Sequence, residues 1–150
     1  MWTQNFLPKS PWSCLLTLFV GIGFFCSDVF ACRCAPPPPP ADALAEAHAV
    51  FLAEVAEIET IKETALLKVT MQVARWWKGG DKSEVTVQTS SSGARCGYGF
   101  QKSGKYLVYA HSEGKDGVIS VSRCSRTRTD KEADASGDFG ALGEGKEPAN

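Results

Sequence analysis

Hydrophobic and polar residues alternate along the middle of the chain, and a period of two is typical of β-strands. The clearest run covers residues 67–73, where Leu67, Val69, Met71 and Val73 are apolar and the residues between them are polar. Weaker alternation predicts four further strands, over residues 50–61, 84–88, 106–110 and 118–123. Five strands of uneven length with no long helix among them predict a small closed or sandwiched β domain.

The segments around these strands carry different patterns. Ala35 is followed by a run of prolines, which predicts an extended polyproline segment because proline fixes φ and donates no backbone hydrogen bond. Alanine-rich residues 41–49 predict a short helix after that run. Residues 127–150 contain many charges and glycines, with Phe139 and Leu142 as their only large apolar residues. This composition predicts a weakly helical or disordered tail.

Residues 1–31 have the pattern of a secretory signal peptide. Lys9 is an early cation, residues 13–25 form an apolar run, and Ala31 is a small residue at the expected cleavage position. The apolar run falls short of the roughly 18 residues that span a bilayer. Cleavage after Ala31 makes Cys32 the first mature residue, and we expect a secreted, periplasmic or otherwise extracellular protein.

A cysteine at the first mature position is also where a lipoprotein is acylated. The bulky Phe30, two residues before Cys32, disfavours lipidation because such sites prefer small residues there. We therefore expect no membrane association unless Cys32 is lipidated. An acylated amine could not bind a metal.

The cysteine count predicts two disulfides. Two of the six cysteines lie in the predicted signal peptide, and the mature chain keeps four: Cys32, Cys34, Cys96 and Cys124. An even number in an exported chain of this size favours a disulfide framework. A bond between Cys32 and Cys34 would close a strained ring across one residue, which leaves two long-range pairings open. Either pairing fastens the N-terminus to the body of the domain.

Composition disfavours other classes of function. A structural zinc site usually has two cysteine pairs with roughly two to four residues inside each pair, whereas Cys96 and Cys124 lie far apart. His48 and His111 are the only histidines, and oxidised cysteines are not nucleophiles, so we expect neither an enzyme nor a cofactor. The net charge of −1 gives no basis for nucleic-acid binding.

Several short motifs follow one another in a recognisable order. They are Cys32-Arg33-Cys34 before the prolines, Ala49-Val50-Phe51, Trp77-Lys78-Gly79, Cys96-Gly97, Tyr106-Leu107-Val108 and Cys124-Ser125. Together, over about residues 32–126, they resemble the inhibitory domain of the tissue inhibitors of metalloproteinases, within the netrin-like group of OB-fold domains. With the strand pattern, the resemblance implies an all-β protein with minor helix. We expect a five-stranded OB-fold-like β-barrel, a short helix after the prolines and, if the tail orders, a C-terminal helix.

The resemblance implies the disulfides Cys32–Cys96 and Cys34–Cys124. It also implies a function, because in that family the α-amine and carbonyl oxygen of the terminal cysteine chelate the catalytic zinc of a target protease. The side chain of the second residue enters the primed-side specificity pocket. Carried over to this chain, Cys32 is the chelator and Arg33 is the pocket residue. The rest of the protease-contacting ridge is Cys34, Ala35, Pro36, Ala94 and Arg95.

Two functions remain open from the sequence. The first is a secreted, monomeric metalloprotease inhibitor that holds no metal of its own and acts in trans on a zinc metalloprotease. The second is a netrin-like binding or structural module outside the cytoplasm, in which the cysteines only hold the fold. The second is favoured by the missing cysteines, since the inhibitory domain of the family usually holds three disulfides, and by the long cationic side chain of Arg33.

Overall fold

The computed structural model describes residues 32–113 and 118–149, so the predicted signal peptide lies outside the described residues. Within these ranges the elements are α1 (Pro40–Glu46), β1 (Ala49–Ile61), β2 (Leu66–Lys78), β3 (Glu84–Ser90), β4 (Lys105–Glu113), β5 (Val118–Ser120), β6 (Arg128–Thr129), α2 (Asp130–Ala135) and α3 (Asp138–Leu142). A 3-10 turn, Gly93–Arg95, follows β3. No helix in the described part of the chain is both long and apolar enough to cross a membrane.

Five of the strands close into a barrel. Each of the pairs β1–β2, β2–β3, β5–β4 and β4–β1 is antiparallel, and β3–β5 is parallel. The sixth strand, β6, pairs with β4 at Tyr106 and Leu107, on the edge of β4 opposite β1. This closure confirms the predicted all-β, OB-fold-like barrel with minor helix. It also gives each barrel strand two neighbours, although the part of β1 beyond Glu54 is not paired with β4.

The predicted alternation sets the barrel interior. Side chains from one face of each strand meet in a core that includes Phe51, Val55, Val69, Met71, Val87 and Val108, all fully or almost fully buried. The interior residues of the clearest predicted strand, Val69, Met71 and Val73, are all buried, and Leu67 packs at the rim of this core. The period of two therefore identified the inner face of β2 correctly.

A second apolar cluster lies on the outside of the barrel, where β1 and β4 pair. Val50, Leu107 and Tyr109 are buried there under Ala43 of α1 and Ala133 of α2. The helices thus cover the outer face of these two strands. This double burial explains why residues 49–51 and 106–110 are apolar without interruption.

The strand ends differ from the sequence pattern in two places. β2 continues to Lys78 through a bulge, because Leu52 pairs with Arg75 while Ala53 pairs with Val73, and Ala74 is left over. The expectation of a strand over residues 118–123 was too long, since β5 ends at Ser120. Beyond Ser120 the backbone pairs with the loop that carries Cys96, since the amide of Arg123 donates to the Cys96 carbonyl at 2.8 Å.

The tail forms two short helices and then returns to the barrel. Thr129 caps α2 by a reciprocal pair of hydrogen bonds with Glu132, which lowers the pKa of that carboxyl. Trp77 stacks on Phe139 of α3 at a ring-centroid distance of 5.9 Å. Lys146 then exchanges two backbone hydrogen bonds with Trp76, at 2.7 and 2.8 Å. These contacts hold residues 130–146 against β2 and α1.

A test of the closed barrel is the substitution Met71→Ala. Met71 is completely buried, so its truncation leaves a cavity and should lower the free energy of unfolding by about 2–5 kcal/mol in urea titrations. The control is Glu57→Ala on the exposed face of β1, which should change it by about 0.5 kcal/mol or less. Equal small losses in both variants would contradict a packed interior.

Candidate functional site

The extended segment at residues 32–39 is fastened to the barrel by two disulfides. Cys32 is bonded to Cys96 and Cys34 to Cys124, with Cα–Cα distances of 5.1 and 5.0 Å. These are the pairs that the family resemblance implies. Cys96 follows the 3-10 turn after β3, and Cys124 follows β5, so the N-terminus joins two loops that are remote in sequence.

The two disulfides lie side by side. The Cys32 sulfur is 3.7 Å from the sulfurs of both Cys34 and Cys124, and all four sulfurs lie within 4.8 Å of one another. Cys96 and Cys124 are thus close in space although they lie far apart in sequence, so their separation along the chain does not disfavour zinc. The disulfides do, because zinc binds thiolates and these sulfurs are oxidised.

The loop that carries Cys96 is tightly folded. Cys96 has a left-handed backbone, with φ of 60°, and the amide of Gly97 donates to the Ser92 carbonyl at 3.1 Å. Gly97 passes so close to the Ser90 carbonyl that a Cβ at this position would overlap it. The turn is therefore compact, and it presents Ala94 and Arg95 to solvent immediately before the disulfide.

The predicted ridge residues fall into one region. Arg33, Cys34, Ala35 and Pro36 are exposed along the extended segment, and Cys32 is partly buried. Ala94 and Arg95 reach the same region because Cys32 is bonded to the residue that follows Arg95. The structure thus brings the seven residues that the resemblance implies to one end of the barrel.

The far end of the proline segment is held by an ion pair between Arg126 and Asp138 that no sequence motif predicts. The Arg126 guanidinium donates to the Pro38 carbonyl at 2.7 Å and to both carboxylate oxygens of Asp138, at 2.6 and 3.1 Å. Asp138 is completely buried, and its hydrogen bonds with Arg126 raise the pKa of that guanidinium. An arginine and an aspartate in a charged tail form no recognisable motif, so sequence alone carried no signal for this contact.

Two neighbours complete the environment of this ion pair. Arg128 places its Nε 3.5 Å from a carboxylate oxygen of Asp138, and the Ser136 hydroxyl lies 3.2 Å from the other oxygen. Burial raises the pKa of the nearby Tyr109 to about 12, and the charge of Asp138 adds to this shift. The two guanidinium groups compensate the carboxylate for its removal from water. The Ser136 hydroxyl donates over a shorter distance, 2.7 Å, to the Glu132 carbonyl.

No protein-family model and no curated protein matches this chain.

The buried ion pair gives a stability prediction. Asp138→Asn leaves the Arg126 guanidinium without its counter-charge and should lower the free energy of unfolding by about 3–5 kcal/mol. The matched control is Asp134→Asn on the exposed face of α2, with an expected change of about 0.5 kcal/mol or less. Urea titration of both variants measures the difference. A loss below about 1 kcal/mol for Asp138→Asn would show that the pair does not hold the tail.

Proposed function

We propose that this protein is an extracytoplasmic inhibitor of zinc metalloendopeptidases, with the α-amine and carbonyl oxygen of Cys32 as its zinc ligands. The observation that carries the proposal is the attachment of residues 32–34 to the barrel by two adjacent disulfides, with Arg33 and the next residues exposed. The sequence motifs shared with the tissue inhibitors of metalloproteinases support the same conclusion. Signal cleavage after Ala31 supplies the free amine.

The chemistry follows from the open coordination position of a catalytic zinc. Such a zinc keeps three protein ligands and one water, and the water is replaceable. The amine nitrogen and the carbonyl oxygen of one residue form a five-membered chelate ring, so Cys32 can displace this water with two atoms. Arg33 then extends toward the primed side of the substrate cleft.

Rigidity makes the chelate effective. A flexible terminus would lose conformational freedom on binding, and that loss weakens affinity. Here Cys32 and Cys34 are each fixed by a disulfide, the prolines restrict the backbone, and Arg126 holds the Pro38 carbonyl. These restraints lower the entropy cost of binding, which supports the proposal.

An N-terminal extension tests the mechanism. Addition of one alanine before Cys32 turns its amine into an amide and should raise the inhibition constant at least about 100-fold while both disulfides form. The matched control carries the same alanine after Asn150 and should inhibit like the wild type. Inhibition of secreted zinc endopeptidases and the intact mass are measured for all three proteins. An extended protein that still inhibits would exclude chelation by the amine.

The acid dependence provides a second test. An α-amine has a pKa of about 7.7–8.0, and only its neutral form binds zinc, so inhibition should weaken below this range. Between pH 8 and pH 6 the inhibition constant should rise roughly 40-fold. A small inhibitor whose zinc-binding group does not titrate in this range reports the pH response of the protease itself. An inhibition constant that stays level after this correction would contradict the proposed ligand.

The netrin-like binding module makes the opposite prediction. In that case the wild-type protein, with a verified N-terminus at Cys32, inhibits no zinc endopeptidase at micromolar concentration. The two functions are thus separated by one screen.

A further inference from the structure

An arginine adjoins every cysteine of the two disulfides. Arg33 lies between Cys32 and Cys34, Arg95 immediately precedes Cys96, and Arg123 immediately precedes Cys124. We call Arg33, Arg95 and Arg123 the basic rim. These residues come from three separate parts of the chain, and only the fold brings them together.

The disulfide geometry places the basic rim around one point. The four sulfurs lie within 4.8 Å of one another, and each arginine is one residue from a bonded cysteine. Consecutive Cα atoms are about 3.8 Å apart, so the three arginine backbones all lie close to the sulfurs. The Arg123 guanidinium lies over Gly93, 3.1 Å from the position that a Cβ there would take. Arg123 therefore reaches the turn that presents Arg95.

The positive charges of the basic rim are not neutralised by the described residues. All three arginines are exposed, and the ion pairs of the described chain lie elsewhere, at Lys68, Lys105, Arg126 and Arg128. Neighbouring like charges repel one another, so the stability of the domain does not explain this grouping. The net charge of the chain is −1, so the basic rim is a local concentration of charge and not a general property.

A cleft adjoins this region. It has a volume of about 270 Å³ and is lined by Arg95, Cys96, Ser90 and Ser122, among others. The Arg95 guanidinium is a suitable donor for a carboxylate, because an arginine can donate two parallel hydrogen bonds to one. The Ser90 hydroxyl already donates to the Ala65 carbonyl at 3.4 Å. The cleft has room for an acidic side chain from a partner.

We propose that the basic rim selects target proteases whose primed-side pocket and surrounding surface are acidic. This inference rests on the proposed function, since it concerns the partner of the same N-terminal ridge. Arg33 enters the pocket, while Arg95 and Arg123 contact carboxylates at its edge. An acidic primed-side pocket binds a basic substrate residue after the cleaved bond. Such a protease therefore cleaves before lysine or arginine and can be chosen by this substrate preference.

A matched pair of proteases tests the role of Arg33. One zinc endopeptidase cleaves before lysine or arginine, and the other cleaves before leucine or phenylalanine. The wild-type protein should inhibit the first with an inhibition constant at least about tenfold lower, because the second leaves a buried guanidinium unpaired. Arg33→Leu should reverse this order. A wild-type preference for the second protease, or an unchanged preference in Arg33→Leu, would overturn the inference.

The salt dependence of association tests Arg95 and Arg123. Opposite charges accelerate association at low ionic strength, and salt screens them over about 8–10 Å. The association rate with the first protease should fall roughly tenfold between 20 and 300 mM NaCl. The double variant Arg95→Gln/Arg123→Gln should associate several-fold more slowly at low salt, with a flatter dependence. The control, Lys102→Gln/Lys131→Gln, removes the same charge from exposed positions elsewhere and should keep the wild-type slope.

Zinc removal separates this inference from the proposed function. The first protease without its zinc cannot be chelated by Cys32, but it keeps its acidic surface. Binding of this protein to it is measured by surface plasmon resonance. Weak binding that is lost in Arg95→Gln/Arg123→Gln supports the basic rim even if the active protease is not inhibited. Equal binding by the wild type, the double variant and the lysine control would contradict it, whatever the inhibition assays show.

Discussion

The arrangement of this molecule depends on two adjacent disulfides at one end of a closed barrel. Without them, residues 32–36 would be a loose terminus with few contacts of their own. With them, the N-terminus is bonded to two loops at one place, where the four sulfurs lie within 4.8 Å of one another. The barrel supplies a rigid base, and the disulfides transmit its rigidity to residues that have no secondary structure.

The C-terminal tail provides a second anchor. The Arg126–Asp138 pair and the stacking of Trp77 on Phe139 hold α3 beside α1 and the end of the proline segment. The two disulfides of the described residues end at Cys96 and Cys124, so neither of them reaches the tail. A buried ion pair and an aromatic contact connect the tail to the N-terminal part of the domain without a covalent bond. Such contacts form reversibly and in any redox environment, whereas a disulfide needs an oxidising one.

Much of the barrel could be predicted from the sequence, because alternation reports burial on one face of a strand. The inner face of β2, from Val69 to Val73, was clear for this reason. Burial on both faces hides this signal, as at Val50 and Leu107 under the helices. The contact between Arg126 and Asp138 could not be predicted, since two charged residues in a tail carry no period or spacing. The grouping of Arg33, Arg95 and Arg123 follows from either of the two long-range cysteine pairings that spacing left open, so the sequence did carry a signal for it.

The closeness of the two disulfides has a consequence for how they form. Cys32 and Cys34 are synthesised before Cys96 and Cys124, so their native partners do not exist until most of the domain has been translated. A mistaken first bond from Cys32 to Cys124 is then a real hazard. In the folded arrangement these two sulfurs are only 3.7 Å apart, with the correct partners alongside. The Cys34 thiolate can therefore attack the Cys124 sulfur, which forms the Cys34–Cys124 bond, breaks the Cys32–Cys124 bond and releases Cys32 as a thiolate that can still pair with Cys96.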